Sequence, residues 1–443
     1  MRVDAKPYVS GTCIGRLVYW WEELADLSEA VPIIRDVTQK DMLDLVRKHP
    51  AGVVVVGQRR FSHVLTYLFA QSIPAVIVDE AGTLPDGDWC YLDGAIGALE
   101  CGRTRASLPS VCEGGLPALL PKKLPAAGSV ATLDGERIIL EASINDAVGA
   151  GQARTLGAAA IGLVRTEFLI ASAETPPTVD DYARAAQALI SAAGGLGVTW
   201  RLLDLGAEKL PSWLRSTRGL RDPMGLRGCR AYRVPRVRSA VQAQTEAILA
   251  ADTRPDCTLL LPYVSSFEEF RDARAAFGRA RAGKQPRFGA MLETPAACLQ
   301  AASFIETADV VAIGTSDLVA TFFGASRNLS EVAGYLDPYA PALVRFLSLI
   351  AGLRPESTRS IRVCGQLPLL PHALEYMLGL GFRRFSLEPS ALLSIADRCT
   401  RVDTGVMAAA CADVATRRTS ADALECLMEA ADSSRSARSR ATP

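Results

Sequence analysis

Short apolar runs recur through the later two thirds of the chain. They read "RIILEAS" (137–143), "AIGLVRTE" (160–167), "VTWRLLDLG" (198–206), "CTLLLPYVS" (257–265), "FGAMLET" (288–294), "VVAIGTSD" (310–317), "IRVCGQL" (361–367) and "FRRFSLE" (382–388). Runs of this length, bounded by polar or turn-forming residues, predict buried strands. Between most of them lie stretches with helical spacing, such as "DYARAAQALISAAG" and "FEEFRDARAAFGRARAG". Eight such strands alternating with helices predict an α/β fold, a (β/α)8 TIM barrel.

The pattern upstream is different. "VVVVGQ" (53–58) predicts a buried strand, and "SHVLTYLFAQS" (62–72) a helix capped by Ser62. "PAVIVD" and "WCYLDG" predict two more strands. The expected organisation is a small N-terminal α/β domain over 1–102 and a linker over 103–128. The barrel follows over 129–432 and a disordered polar tail over 433–443. The linker is rich in proline and glycine and shows no lasting period.

Composition narrows the classes. The chain has 443 residues, 49% hydrophobic and 22% charged, a normal globular balance with room for a large domain and a smaller one. Lys plus Arg equals Asp plus Glu at 48 each, so no basic field is present to hold nucleic acid. No uncharged apolar run reaches the roughly 18 residues of a membrane span. The opening "MRVDAKPYVS" lacks the apolar core of a signal peptide, so a cytoplasmic location is expected. Eleven cysteines are scattered with no CxxC pair, which argues for reduced thiols and against a zinc site.

The positions of the polar residues add chemistry. Arg165 ends the second apolar run and Asp204 lies near the end of the third; Glu293 ends the fifth, Asp317 the sixth, and Cys364 with Gln366 the seventh. Any one of these alone reads as a solvated loop residue. As a set at one end of successive strands they converge on the barrel mouth, where such folds build their sites. Arg165, Arg201, Arg227 and Arg327 lie at strand ends or in the following loops, and their planar forks suit phosphate and carboxylate. Glu293 and Asp317 are candidate ligands of a magnesium ion, completed by substrate oxygens and water, or else partners of those arginines.

These residues carry a resemblance. The chain resembles the phosphoenolpyruvate (PEP)-utilising enzymes: enzyme I of the sugar phosphotransferase system, phosphoenolpyruvate synthase and pyruvate phosphate dikinase. "GLVRTEFLI" is similar to that family's GLxRTEFLF, "RLLDLGAEKLP" to RTxDIGGDKxLP, and "GAMLETPAACL" to GxMxExPxAxx. "VAIGTSDLVATFFGASR" keeps the family spacing from Asp317 to Arg327, and "VCGQLPLLPHALEYMLGLGFRRFSLEP" resembles the segment around the family cysteine. "RRFSHVLTYLFAQSIPAVIV" resembles the swivelling phosphohistidine domain, with its spacing from His63 to Pro74.

The resemblance implies that magnesium, held by Glu293 and Asp317, binds PEP in the barrel mouth. Arg165, Arg201, Arg227, Ser316, Asp317 and Arg327 would contact the substrate. His63 would take the phosphoryl group, and Cys364 would protonate the enolate to give pyruvate. The acceptor beyond His63 is left open: a phosphocarrier protein, a small molecule, or a separate ATP-binding subunit that completes a split synthase. A homodimer through the barrel is implied as well. The chain departs from the family at Ser316 (asparagine there), Gln366 (glutamate), and Gln58, Arg59 and Phe61 (glycines and threonine). Enzyme I's helical insertion and any nucleotide-binding segment are not seen before His63. A helix-start histidine without chemistry, and a repurposed barrel that uses the enolate otherwise, stay open at this point, as does a regulatory protein that binds PEP without turnover.

Overall fold

The computed structural model describes residues 1–9, 11–35, 37, 39–57, 66–71, 73–80, 84–94, 97–108, 123–170, 175–206, 210–222, 224–278, 286–327 and 329–441. The chain divides into two units. The first comprises Met1–Pro121, Phe323–Pro338 and Gln366–Leu374; the second comprises Lys122–Phe322, Tyr339–Gly365 and Glu375–Pro443.

The first unit is built on an eight-stranded sheet. Its strands are β1 (Arg2–Asp4), β2 (Lys6–Val9), β3 (Thr12–Val18), β4 (Ala30–Ile34), β5 (Val53–Val56), β6 (Ala75–Val78), β7 (Trp89–Asp93) and β8 (Ala98–Gly102). Their order is β1-β8-β7-β3-β4-β5-β6-β2. The central neighbours β3, β4, β5 and β6 run parallel, and β7, β8, β1 and β2 add antiparallel edges. Helices Gln39–Arg47 and Thr66–Ala70 follow β4 and β5, the alternation that parallel pairing needs. The run Val53–Val56 is buried at every position, as a central parallel strand requires. Leu17, Val31, Val54, Val76, Leu92 and Leu99 form its core.

The second unit is the barrel. After β9 (Ser129–Ala131) come β10 (Arg137–Ile144), β11 (Ile161–Arg165), β12 (Val198–Arg201), β13 (Thr258–Val264), β14 (Arg287–Leu292), β15 (Val310–Gly314), β16 (Arg362–Cys364) and β17 (Arg384–Leu387). Each of β10–β17 pairs in parallel with the next, and β17 pairs with β10, so the eight strands close as the sequence predicts. β9 runs antiparallel to β10. Helix starts are set by local chemistry. Asp146 accepts from the Gly149 N–H at 2.8 Å, Thr178 and Asp181 form a capping box, and Ser266 accepts from Glu269 N–H at 3.2 Å.

Two differences from the sequence expectation have plain causes. Several strands are shorter than their apolar runs: β12 stops at Arg201 although Leu202–Leu205 remain buried. Burial, which the apolar pattern reports, outlasts ladder pairing. The final helix, Ser420–Ala441, continues through residues expected to form a frayed tail after Asp432. That stretch holds Ala, Arg and Ser without Gly, so nothing in it breaks a helix once started. The ten described cysteines are free, and eight of them are buried. Among the described residues, no helix is long and apolar enough to cross a membrane.

Candidate active site

The C-terminal ends of the barrel strands carry the charged groups. Glu293 directly follows β14, and the next two residues turn the chain away. Thr294 caps the following helix by accepting from the Ala297 N–H at 3.2 Å, and Pro295 occupies its first turn. Asp317 lies in the first turn of helix Thr315–Phe323, which starts as soon as β15 ends at Gly314. Thr321 Oγ1 binds both backbones, donating to the carbonyls of Glu293 at 2.8 Å and Asp317 at 2.9 Å. A Cβ on Gly314 would overlap the Glu293 carboxylate, so only glycine lets that side chain lie across the end of β15.

Around this pair stands a network of acids and arginines. Arg227 forms an ion pair with Asp317, Nη2 to Oδ1 at 2.7 Å, and its Nε lies 3.8 Å from Asp204 Oδ1. Its guanidinium also sits 4.8 Å from the Tyr263 ring centroid. Arg201, the last residue of β12, pairs with Glu167 and lies 3.4 Å from Asp204 Oδ2. Tyr263 donates its backbone N–H to Glu293 Oε2 at 2.8 Å. It does so from a left-handed conformation, φ 47°, where the β13–β14 register is irregular between Leu261 and Val264. Glu167, Asp204, Glu293 and Asp317 are all buried.

The electrostatics follow from that crowding. Burial first, then the charges of Asp317 and Asp204, push Glu293 up to about 8, against the pull of Arg201 and Arg227. Burial works against the charge on Arg201, yet Glu167 and Asp204 hold its pKa above the ordinary value. The acids therefore exceed what the two arginines neutralise. A divalent cation among them would supply the missing charge, and carboxylate oxygens are the donors a hard cation takes. Among the described residues, no group of three or more His, Cys, Asp and Glu is arranged to hold a metal alone. Glu293 and Asp317 could each offer an oxygen to such an ion, with the rest from substrate and water.

The other predicted residues fall as follows. Arg165 ends β11 in register with Arg201, and its Nη1 donates to Asn145 Oδ1 at 3.1 Å and Glu388 Oε1 at 2.7 Å. Ser316 is the second residue of helix Thr315–Phe323 and is half-buried. Cys364 ends β16 in an apolar group with Leu163, Leu260, Met291 and Ala312, and its carbonyl accepts from Thr315 Oγ1 at 2.7 Å. Burial pushes its thiol up to about 12. Arg327 and Gln366 are buried and belong to the first unit. His63 lies outside the described residues, as do Gln58, Arg59, Phe61 and Ser62. Glu167 and Tyr263 are additions that the sequence did not single out, and Asp204 gains a definite role as the partner of two arginines.

A closed (β/α)8 barrel whose mouth gathers arginines and acids defines the class: a barrel protein with a charged site at the C-terminal ends of its strands. Residues 122–404 match the family model described as PEP-utilising enzyme, PEP-binding domain. The chain belongs to the PEP-utilising enzyme family. It is similar to the phosphoenolpyruvate-protein phosphotransferase of Streptococcus equinus, 25% identical over 394 residues that cover 86% of this chain and 68% of the relative. Against the protein of that name from Haloferax volcanii it is 29% identical, with coverage of 86% and 69%. Against that of Cupriavidus necator it is 30% identical, with coverage of 82% and 65%.

Proposed function

We propose that this protein moves the phosphoryl group of PEP to His63, releases pyruvate, and then passes the group to an acceptor protein. The observation that carries the reading is the cluster of buried Glu293, Asp317, Asp204 and Arg201 with half-buried Arg227 at the barrel mouth. It offers both signs of charge that a small trianion and its cation need. A protein acceptor is favoured by the relatives' name, phosphoenolpyruvate-protein phosphotransferase.

Magnesium is the proposed ion, with Glu293 and Asp317 as its protein ligands; bound there it would neutralise charge on the phosphate and enolate oxygens. Arg201, clamped by Glu167 and near Asp204, offers a guanidinium already fixed in orientation. Arg227 would exchange part of its pairing with Asp317 for substrate oxygens. Arg165, Ser316 and Arg327 complete the substrate contacts. With the charges placed, catalysis is chiefly positioning. The P–O bond to the enol oxygen breaks with its electron pair on oxygen, and a P–N bond forms at the imidazole of His63. Cys364, held protonated by burial, gives its proton to the methylene carbon.

The half-reaction is tested by exchange of labelled pyruvate into PEP, which needs phosphoryl transfer and carbon protonation in both directions. Label should appear in PEP only with divalent cation and intact His63. Exchange that persists in His63→Ala would reject the phosphohistidine. One observation favours a second reading, a barrel that uses the enolate for another reaction: Gln58, Arg59 and Phe61 replace small residues beside His63.

A further inference from the structure

We propose that Arg362, held by Glu141, is a positioning residue for Cys364: its buried cation lies on the thiol's side of β16 and balances the negative charge left on sulfur when the proton goes to carbon. The proposal rests on the reading of Cys364 as proton donor. Arg362 and Cys364 occupy alternate positions of β16, so their side chains leave the same face of the strand. Both are buried, at 4% and 1% exposure.

The guanidinium of Arg362 reaches across the barrel interior. Its Nε and Nη2 both donate to the carboxylate of Glu141 on β10, the second at 3.2 Å. Its Nη1 donates to Thr199 Oγ1 on β12 at 3.1 Å. Arg384 adds a second cation 3.4 Å from Glu141 Oε1. Space is made by Gly162, where a Cβ would lie 2.6 Å from Glu141 Oε2 and from Ser386 Oγ. Stability is a poor reason for this arrangement. Desolvating a buried ion pair costs about what the attraction returns, and apolar residues of similar volume commonly replace one without loss.

Chemistry supplies a better reason. When the S–H bond of Cys364 breaks, the enolate's carbon–carbon π pair forms the new C–H bond and the S–H pair stays on sulfur. The products are pyruvate and a thiolate. That thiolate lies among Leu163, Leu260, Met291 and Ala312, which cannot solvate it. Of the charged groups near the sulfur, Glu141 and Glu293 favour the protonated thiol and Arg165 and Arg362 oppose it, and Arg362 shares the thiol's strand face. It is the cation placed to offset the burial that otherwise holds the proton on sulfur.

The test is single-turnover pyruvate formation from PEP by the full chain with magnesium, one phosphoryl group passing to His63 per chain, in four variants. Cys364→Ala first checks the donor itself. The paired variant Glu141→Leu with Arg362→Met should melt near the parent and keep its half-saturating PEP concentration, but lose about tenfold or more in single-turnover rate, one pKa unit of lost support. Arg362→Lys, which keeps the charge, should stay within about threefold of the parent. Arg362→Gln, in which Glu141 keeps Arg384, should show the same loss as the paired variant and replaces it if that variant does not fold. A charge-free variant turning over at the parent rate overturns the proposal, as does Arg362→Lys failing as badly as Arg362→Gln. If Cys364→Ala itself is unimpaired, or the parent forms no pyruvate, the donor reading falls and this proposal with it. A slow Cys364→Ala beside unaffected Arg362 variants sinks only the proposal.

Discussion

Arg227 joins two acids from different strand ends, its Nη2 ion-paired with Asp317 Oδ1 at 2.7 Å while its Nε stands 3.8 Å from Asp204 Oδ1. The same arginine thus balances the loop after β12 against the helix after β15. Substrate and cation must enter by changing that balance, which makes Asp317 the residue whose loss is felt first in binding. Asp317→Ala should fold normally, because Arg227 retains Asp204. Magnesium-dependent affinity for PEP should fall about tenfold to a hundredfold, the equivalent of one charge-assisted contact at roughly 1.5–3 kcal/mol. Calorimetry giving the parent affinity would remove Asp317 from the site.

Gly314→Ala tests the close approach of β15 to Glu293. The added methyl would occupy the space of the carboxylate, so the Glu293 side chain must shift from its present position. Binding of manganese, followed by its electron paramagnetic signal, should weaken while secondary structure by circular dichroism stays unchanged. Unaltered manganese affinity would mean that Glu293 is not a ligand.

Asp252 makes an acid-stability prediction away from the mouth. It accepts from Trp200 Nε1 at 3.0 Å and from Arg254 Nε and Nη2, each at 2.7 Å. Burial alone would raise its pKa, but the hydrogen bonds from Arg254 and Trp200 outweigh it and hold the carboxyl below its usual 3.8. The unfolded chain therefore binds this proton at higher pH than the folded one. The stabilisation is present above about pH 4 and is lost as pH falls through the folded value. Asp252→Asn should lower stability near neutrality by about 1–3 kcal/mol and flatten this part of the acid dependence. Urea titrations followed by tryptophan fluorescence at pH 7 and pH 3 make the comparison; equal losses at both pH values would contradict it.

Cys364→Ala separates turnover from binding. The arginines and acids supply affinity, whereas the thiol supplies only a proton. The variant should bind PEP like the parent and form pyruvate far more slowly in a rapid-quench assay. Pyruvate at the parent rate would make Cys364 a packing residue.

Much of this site was legible because each acid follows its own apolar run. Glu293 after "GAML" and Asp317 after "VVAIGTS" stand where a buried strand gives way to a polar residue, and the parallel barrel brings those ends together. Glu167 was visible within "VRTEF" but carried no sign that it would clamp Arg201. Tyr263 was hidden inside the apolar run "LLLPYVS", since a local left-handed turn is written in tertiary packing and not in that pattern. The pair Arg362–Glu141 joins residues 221 positions apart, and only barrel closure makes them neighbours. The long final helix escaped notice because its polar end lacks the apolar stripe by which helices are recognised.

The central claim is that PEP phosphorylates His63. Intact-mass analysis after incubation with PEP and magnesium, followed by peptide mapping under basic conditions, tests it directly. The parent should gain one acid-labile, base-stable phosphoryl group within the peptide that carries His63, and His63→Ala should gain none. A folded, PEP-binding parent that stays unmodified, or a phosphoryl group mapped to His49 or His372, would contradict the account.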